Sequence, residues 1–224
     1  MKALHRCVSL LILAASAMAG DLNGHVVITK RLSKKPVAAA VYDLRGAAPP
    51  DAPAKTAPVN EFDRVVLWLE GGKLAPKAPV TATIDQRDID FSPDTLIVPV
   101  GSSVEFPNSD PIFHNVFSLS HAQTFDLGFY PRGKSRTVKF NHPGVVQIYC
   151  HLHSKMYAAI VVTSSPWYGK PGSGGSFTWS GIPAGQYQLF AWHKVAGLYK
   201  TEVTINADGS TDASIRIPID AERP

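Results

Sequence analysis

The stretch GVVQIYCHLHSKM, residues 144–156, places a β-branched run, a cysteine, two histidines and a methionine in thirteen positions. Val145, Val146, Ile148 and Tyr149 are strand formers, so the pleat fixes the direction in which Cys150 points. His153 lies three residues beyond Cys150 and Met156 three beyond that, in a short connection before the next apolar run, AAIVVT (158–163). A loop folded back between two strands aims thiol, imidazole and thioether at one point. That soft set suits copper cycling between its two oxidation states, and a type 1 site needs one more histidine to complete a His₂Cys plane with a weak axial Met. Zinc accepts Cys and His but rarely Met, and a dinuclear copper centre requires a second cysteine in the loop. Strand alternation turns His151 away from the side of Cys150, so it is expected to face solvent.

Residues outside the loop sharpen this reading. The chain opens MKALHR and continues CVSLLILAASAMA, a basic leader followed by an apolar run that ends in the small-residue pattern Ala17-Met18-Ala19. This is the form of a secretory signal cut near Ala19, too short to span a bilayer comfortably, and it implies an exported, periplasmic protein with no stable membrane span after cleavage. Cys7 stands at the start of the apolar run rather than after it and is not placed as a lipid-attachment site. Without residues 1–19 the formal charge falls from +4 to +2, with no basic run to attract nucleic acid. Cleavage also removes Cys7, Met1 and Met18, leaving Cys150 and Met156 as the sole cysteine and methionine. A lone thiol in an oxidising compartment is a liability unless something protects it.

The missing histidine must come from a neighbouring strand or loop. His114, in FPNSDPIFHNVFS (106–118), begins an apolar segment after a turn-rich stretch and is the strongest candidate. His25, His121, His142 and His193 are scattered and read as surface or hydrogen-bonded residues. The segment order is Val98-x-x-Gly101-x-x-x-Glu105-Phe106-x-Asn108, then His114-Asn115-Val116, then Pro143-Gly144-x₄-Tyr149-Cys150-x-x-His153-x-x-Met156. In this order, residues 81–163 resemble a cupredoxin, the blue-copper sandwich of plastocyanin, pseudoazurin and amicyanin. The Cys-x-x-His-x-x-Met spacing is most similar to amicyanin's short ligand loop.

The resemblance implies one copper ion (Cu⁺/Cu²⁺) held by His114, Cys150, His153 and Met156. It further implies that Asn115 ties the two ligand loops together and that its backbone amide bonds the Cys150 sulfur. Cupredoxins expose an apolar rim near the second histidine for docking redox partners. Pro111, Ile112, Phe113 and Tyr157 are the candidates here, with Tyr149 offering a second electron route. Ordinary packing would account equally for Ile112 and Tyr149.

The remainder of the chain also reads as β: GHVVIT (24–29), VAAAVYDL (37–44), RVVLWLEG (64–71), TLIVPVGSSVEF (95–106), RTVKF (136–140), QYQLFAW (186–192) and ASIRIP (213–218). No window sustains a helical period. GAAPPDAPAKTAP (46–58) and PWYGKPGSGGS (166–176) read as loops, and Asp208-Gly209 as a hairpin turn between two late strands. GHVVITKRLSKKPVAAAVYDL (24–44) and GGSFTWSGIPAGQYQLFAWH (174–193) resemble the early and late parts of a transthyretin-type, carboxypeptidase-regulatory-like sandwich. The expected organisation is all-β: a signal peptide (1–19), a first sandwich part (20–78), a Greek-key cupredoxin β-sandwich (79–164) and a second sandwich part (165–224). Exported proteins so organised resemble a bacterial group labelled methylamine-utilisation proteins.

One-electron transfer to redox partner proteins is the function this pattern favours. No nucleophile–base pair, paired carboxylates or phosphate loop points to an enzyme. Two alternatives remain: copper storage, delivery or sensing, and a carbohydrate- or protein-binding sandwich with ancillary copper. For the last, Trp167, Tyr168, Trp179 and Trp192 are the candidate platforms, although their strand positions favour packing.

Overall fold

A computed structural model describes residues 18–29, 60–72, 75–207 and 209–218. The expected strand 37–44 and loop 46–58 lie outside the described residues, as does the expected leader apart from Met18 and Ala19. In chain order the strands are β1 (Ala19–Ile28), β2 (Val65–Glu70), β3 (Thr81–Thr83), β4 (Asp85–Arg87), β5 (Asp90–Ser92), β6 (Thr95–Pro99), β7 (Ser102–Pro107), β8 (His114–Ser120) and β9 (Gln123–Tyr130). They continue as β10 (Ser135–Phe140), β11 (Gly144–Tyr149), β12 (Tyr157–Thr163), β13 (Tyr168–Gly169), β14 (Ser176–Pro183), β15 (Gly185–His193), β16 (Gly197–Ile205) and β17 (Ser210–Ile217). The fold is all-β, and among the described residues no helix is long and apolar enough to cross a membrane.

The central strands build one sandwich. A five-stranded sheet, β6-β12-β11-β8-β9, faces a three-stranded sheet, β10-β7-β3, with the β4–β5 hairpin beside them. The run TLIVPVGSSVEF is not one strand. It breaks at Gly101, whose φ of 87° suits glycine, so β6 and β7 lie in different sheets. Phe91, Val104, Phe106, Val116, Phe140 and Ile160 fill the space between the sheets, and Cys150 and Met156 belong to the same buried cluster.

A second pair of sheets draws on both ends of the chain. In one, β1 lies between β14 (antiparallel) and β17 (parallel); in the other the order is β13-β2-β15-β16. Leu22, Val26, Leu67, Leu69, Leu189 and Ile215 pack between them. Asp208-Gly209 does not join a hairpin, and Asp208 itself lies outside the described residues. The strands it separates belong to different sheets, β16 pairing with β15 and β17 with β1.

The two sandwiches meet through strands that are apolar on both faces. In β12, Ala158, Ile160 and Val162 point into the central core, while Ala159 and Val161 pack on Val66, Trp68 and Trp192. In β2, Val65, Leu67 and Leu69 face the second core, and Val66 and Trp68 face β12. That period-2 division explains why AAIVVT and VVLWL are continuous rather than alternating apolar runs. Trp68 stacks on Phe190 with ring centroids 5.1 Å apart. Trp192 is buried in this interface, Tyr168 packs against it, and Trp167 and Trp179 pack against the second core. At its edge, Lys194 Nζ lies 2.8 Å and Arg64 Nε 3.4 Å from Asp94 Oδ2.

His193 is fully buried beside this edge. Its Nδ1 accepts from the backbone N–H groups of Val195 and Ala196, each at 3.1 Å, so Nε2 carries the proton toward Glu61 Oε2 at 3.2 Å. Burial holds its pKa below the ordinary histidine value against the opposing pull of Glu61. The unfolded chain therefore binds the proton first as pH falls, and the stabilisation, complete above about pH 6.5, is lost below it. Thermal unfolding is expected at a lower temperature at pH 5 than at pH 7.5, with a shallower dependence in His193→Gln. Parallel curves for the two proteins would contradict this origin.

Candidate metal centre

Three side chains from two loops converge at one end of the central sandwich. His114 opens β8, Cys150 follows the last residue of β11, and His153 sits in the connection to β12. Cys150 Sγ lies 3.9 Å from His114 Nδ1 and 3.8 Å from His153 Nδ1, and the two Nδ1 atoms are 3.1 Å apart. These distances fix a point about 2.1 Å from all three atoms, close to the 2.0–2.3 Å of metal–imidazole and metal–thiolate bonds. His114 and Cys150 are buried and His153 half-buried, so the cluster is closed on one side and reaches the surface through one imidazole. Met156 is fully buried in the same core, and its backbone N–H donates to the His153 carbonyl at 3.0 Å, closing the loop into a turn.

The loops are tied by side-chain hydrogen bonds. Asn115 Oδ1 accepts from the His151 backbone N–H at 2.8 Å, and Asn115 Nδ2 donates to Asp126 Oδ1 at 3.1 Å. Among the described residues, the two imidazoles lie within 4 Å of Cys150 Sγ. Asn115 lies in the β8–β9 ladder opposite Phe129, beside an irregularity between Asn115 and Phe117. Asn108 organises the loop before His114. Its Nδ2 donates to the carbonyls of Ile112 and Tyr130 at 2.9 and 3.0 Å, and its Oδ1 accepts from the Asp110 N–H at 3.0 Å.

His151 points away from the cluster. Its ring stacks on Phe117 with centroids 3.8 Å apart, and Nε2 approaches Asp126 Oδ2 at 3.4 Å. The Gly128 N–H, followed by Asn115 and His151, holds the exposed Asp126 carboxyl below its usual range. His25, His121 and His142 are exposed.

Pro111, Ile112 and Phe113 are exposed immediately before His114. Leu152, 54% exposed between Cys150 and His153, was not singled out from sequence and adds to the apolar surface on the other loop. Tyr157 differs from expectation. It is half-buried under the second sandwich rather than on that surface: its hydroxyl donates to the Lys194 carbonyl at 3.4 Å, and Lys194 Nζ lies 5.0 Å from its ring. Burial raises its pKa. Tyr149 stacks on Tyr157 at 5.2 Å and on the other side meets Phe117 at 5.8 Å.

The residue that sequence reading missed is Asp110, whose Oδ2 lies 2.8 Å from His114 Nε2. Its position four residues before the histidine was the available signal, hidden in a stretch that reads simply as a turn.

No known family pattern matches the chain, and no curated protein does. Solved structures resemble part of it. A reduced amicyanin mutant is 20% identical over 36% of this chain and 80% of that one, with a TM-score of 0.35. A novel purple cupredoxin from Nitrosopumilus maritimus is 26% identical over 37% of this chain and 99% of its own, at 0.34. A Cu-containing nitrite reductase from Thermus scotoductus is 26% identical over 42% of this chain, at 0.35; the match spans about a quarter of that enzyme, 24%. None of these likenesses carries weight beside the geometry of the cluster itself.

Proposed function

We propose that the protein is an exported, periplasmic type 1 copper protein that carries single electrons, built as a cupredoxin unit inserted between the two halves of a second sandwich. The observation that carries this reading is the convergence of one thiol and two Nδ1 atoms on a common point at metal-bond distance. Cys150 would supply a thiolate, His114 and His153 two imidazoles, and buried Met156 a thioether to hold the copper. A single copper ion, when bound, would supply the one-electron chemistry. The chain's task is to hold these donors between the preferences of the two oxidation states, so that little moves when an electron arrives or leaves. The bonds through Asn115 and Asn108 fix both loops to the sandwich, which supports that task.

His153 is the half-buried ligand, and apolar Phe113 and Leu152 are exposed beside the two histidines. A redox partner docking there without charge pairing is the expected arrangement. Voltammetry of the copper-loaded protein tests the carrier role. Fast, reversible one-electron waves together with slow copper loss to chelators support it. Sluggish redox with rapid copper exchange overturns it in favour of delivery.

A further inference from the structure

The β4–β5 hairpin turns through Asp88 and Ile89, with φ of 57° and 56°. Left-handed backbone is tolerable for aspartate but costly for a β-branched residue. Ile89 is 46% exposed, so burial of its side chain does not offset that cost. The turn instead presents two N–H groups to one carboxylate: Asp88 N–H donates to Asp110 Oδ1 at 2.7 Å, and Ile89 N–H to Asp110 Oδ2 at 2.9 Å. Two backbone N–H donors converging on one carboxyl favour its ionised form. The third polar atom at this carboxylate is His114 Nε2, 2.8 Å from Oδ2.

We propose that Asp110, clamped by the Asp88–Ile89 turn, is the positioning residue of the centre: its carboxylate locks the His114 ring in the Nε2–H tautomer with the Nδ1 lone pair aimed at the metal. A carboxylate that only accepts must take the Nε2 proton as a hydrogen bond, which leaves Nδ1 bare on a neutral ring. In the metal-free protein, His153 then supplies the proton between the two Nδ1 atoms, 3.1 Å apart. A charged acceptor behind a ligand imidazole also makes it a stronger donor, which favours the more highly charged oxidised metal and lowers the reduction potential. The effect on metal rests on the copper reading above, whereas the tautomer does not.

Nitrogen-15 NMR of the metal-free wild-type protein reads the tautomer directly. A His114 ring protonated at Nε2 and bare at Nδ1 is expected; a ring protonated at Nδ1 would overturn the inference even if Asp110→Asn fails to fold. In folded Asp110→Asn, the tautomers should mix, Co(II) and Cu(II) should bind about 10- to 100-fold more weakly, and the copper potential should rise. An Asp110→Asn protein with the wild-type tautomer and affinity within threefold would also overturn the inference. A wild-type protein with the fixed tautomer that takes up no copper would refute the copper reading and leave the positioning role standing.

Discussion

Replacing Cys150 with serine is expected to abolish the intense visible absorption of the copper-loaded protein while leaving its β-sheet circular dichroism intact. The absorption of a type 1 site arises from charge transfer out of the thiolate, and a serine hydroxyl neither ionises near neutral pH nor offers a soft sulfur orbital. The fold should tolerate the change. Serine is close in volume, and the two imidazoles beside this position offer hydrogen-bond partners for its hydroxyl. A stability change no larger than about 1–2 kcal/mol is expected. Copper affinity should fall by more than the roughly 10- to 100-fold that losing a ligand's hydrogen-bond partner costs. Spectrophotometric copper titration of Cys150→Ser beside the wild type measures both, and a coloured variant would refute the thiolate assignment.

The largest stability effect is expected away from the metal, at Trp192. Its ring is buried with Val66, Trp68, Ala159 and Val161, where the two sandwiches meet. Truncation to alanine removes a large buried ring and leaves a cavity between two sheets whose backbones are fixed by their own ladders. The expected cost is about 3–5 kcal/mol. Because the lost contacts join the sandwiches, urea unfolding of Trp192→Ala should also broaden or separate into two steps. A single wild-type-like transition with a loss below about 1 kcal/mol would show that the units do not depend on this contact.

The features legible in sequence were those with a local cause. Strand runs, the short connection after Cys150 and the outward turn of His151 follow from period-2 alternation and residue type. Cys150 and His153 lie three positions apart, so their proximity is nearly local. His114 needed a long-range inference, and the 3.1 Å between the two Nδ1 atoms now gives that inference a geometry. The double-sided burial of AAIVVT was visible as an apolar run, but the run could not say what covered its second face. The answer required β2 and β15, from distant parts of the chain. For the same reason Tyr157 was expected beside the docking surface, whereas Lys194 covers it. Asp208-Gly209 looked like a hairpin because turn chemistry is local, while the choice of partner strand is not. Asp110 was illegible because its importance comes from the Asp88–Ile89 turn, more than twenty residues earlier.

The visible and paramagnetic resonance spectra of the copper-loaded protein in its oxidised form test the type 1 assignment most directly. An intense band toward the red end of the visible, with the narrow copper hyperfine splitting of a thiolate-bound type 1 site, is the expected result. A protein that binds copper but stays colourless after oxidation, with the wide splitting of an ordinary tetragonal site, would contradict it.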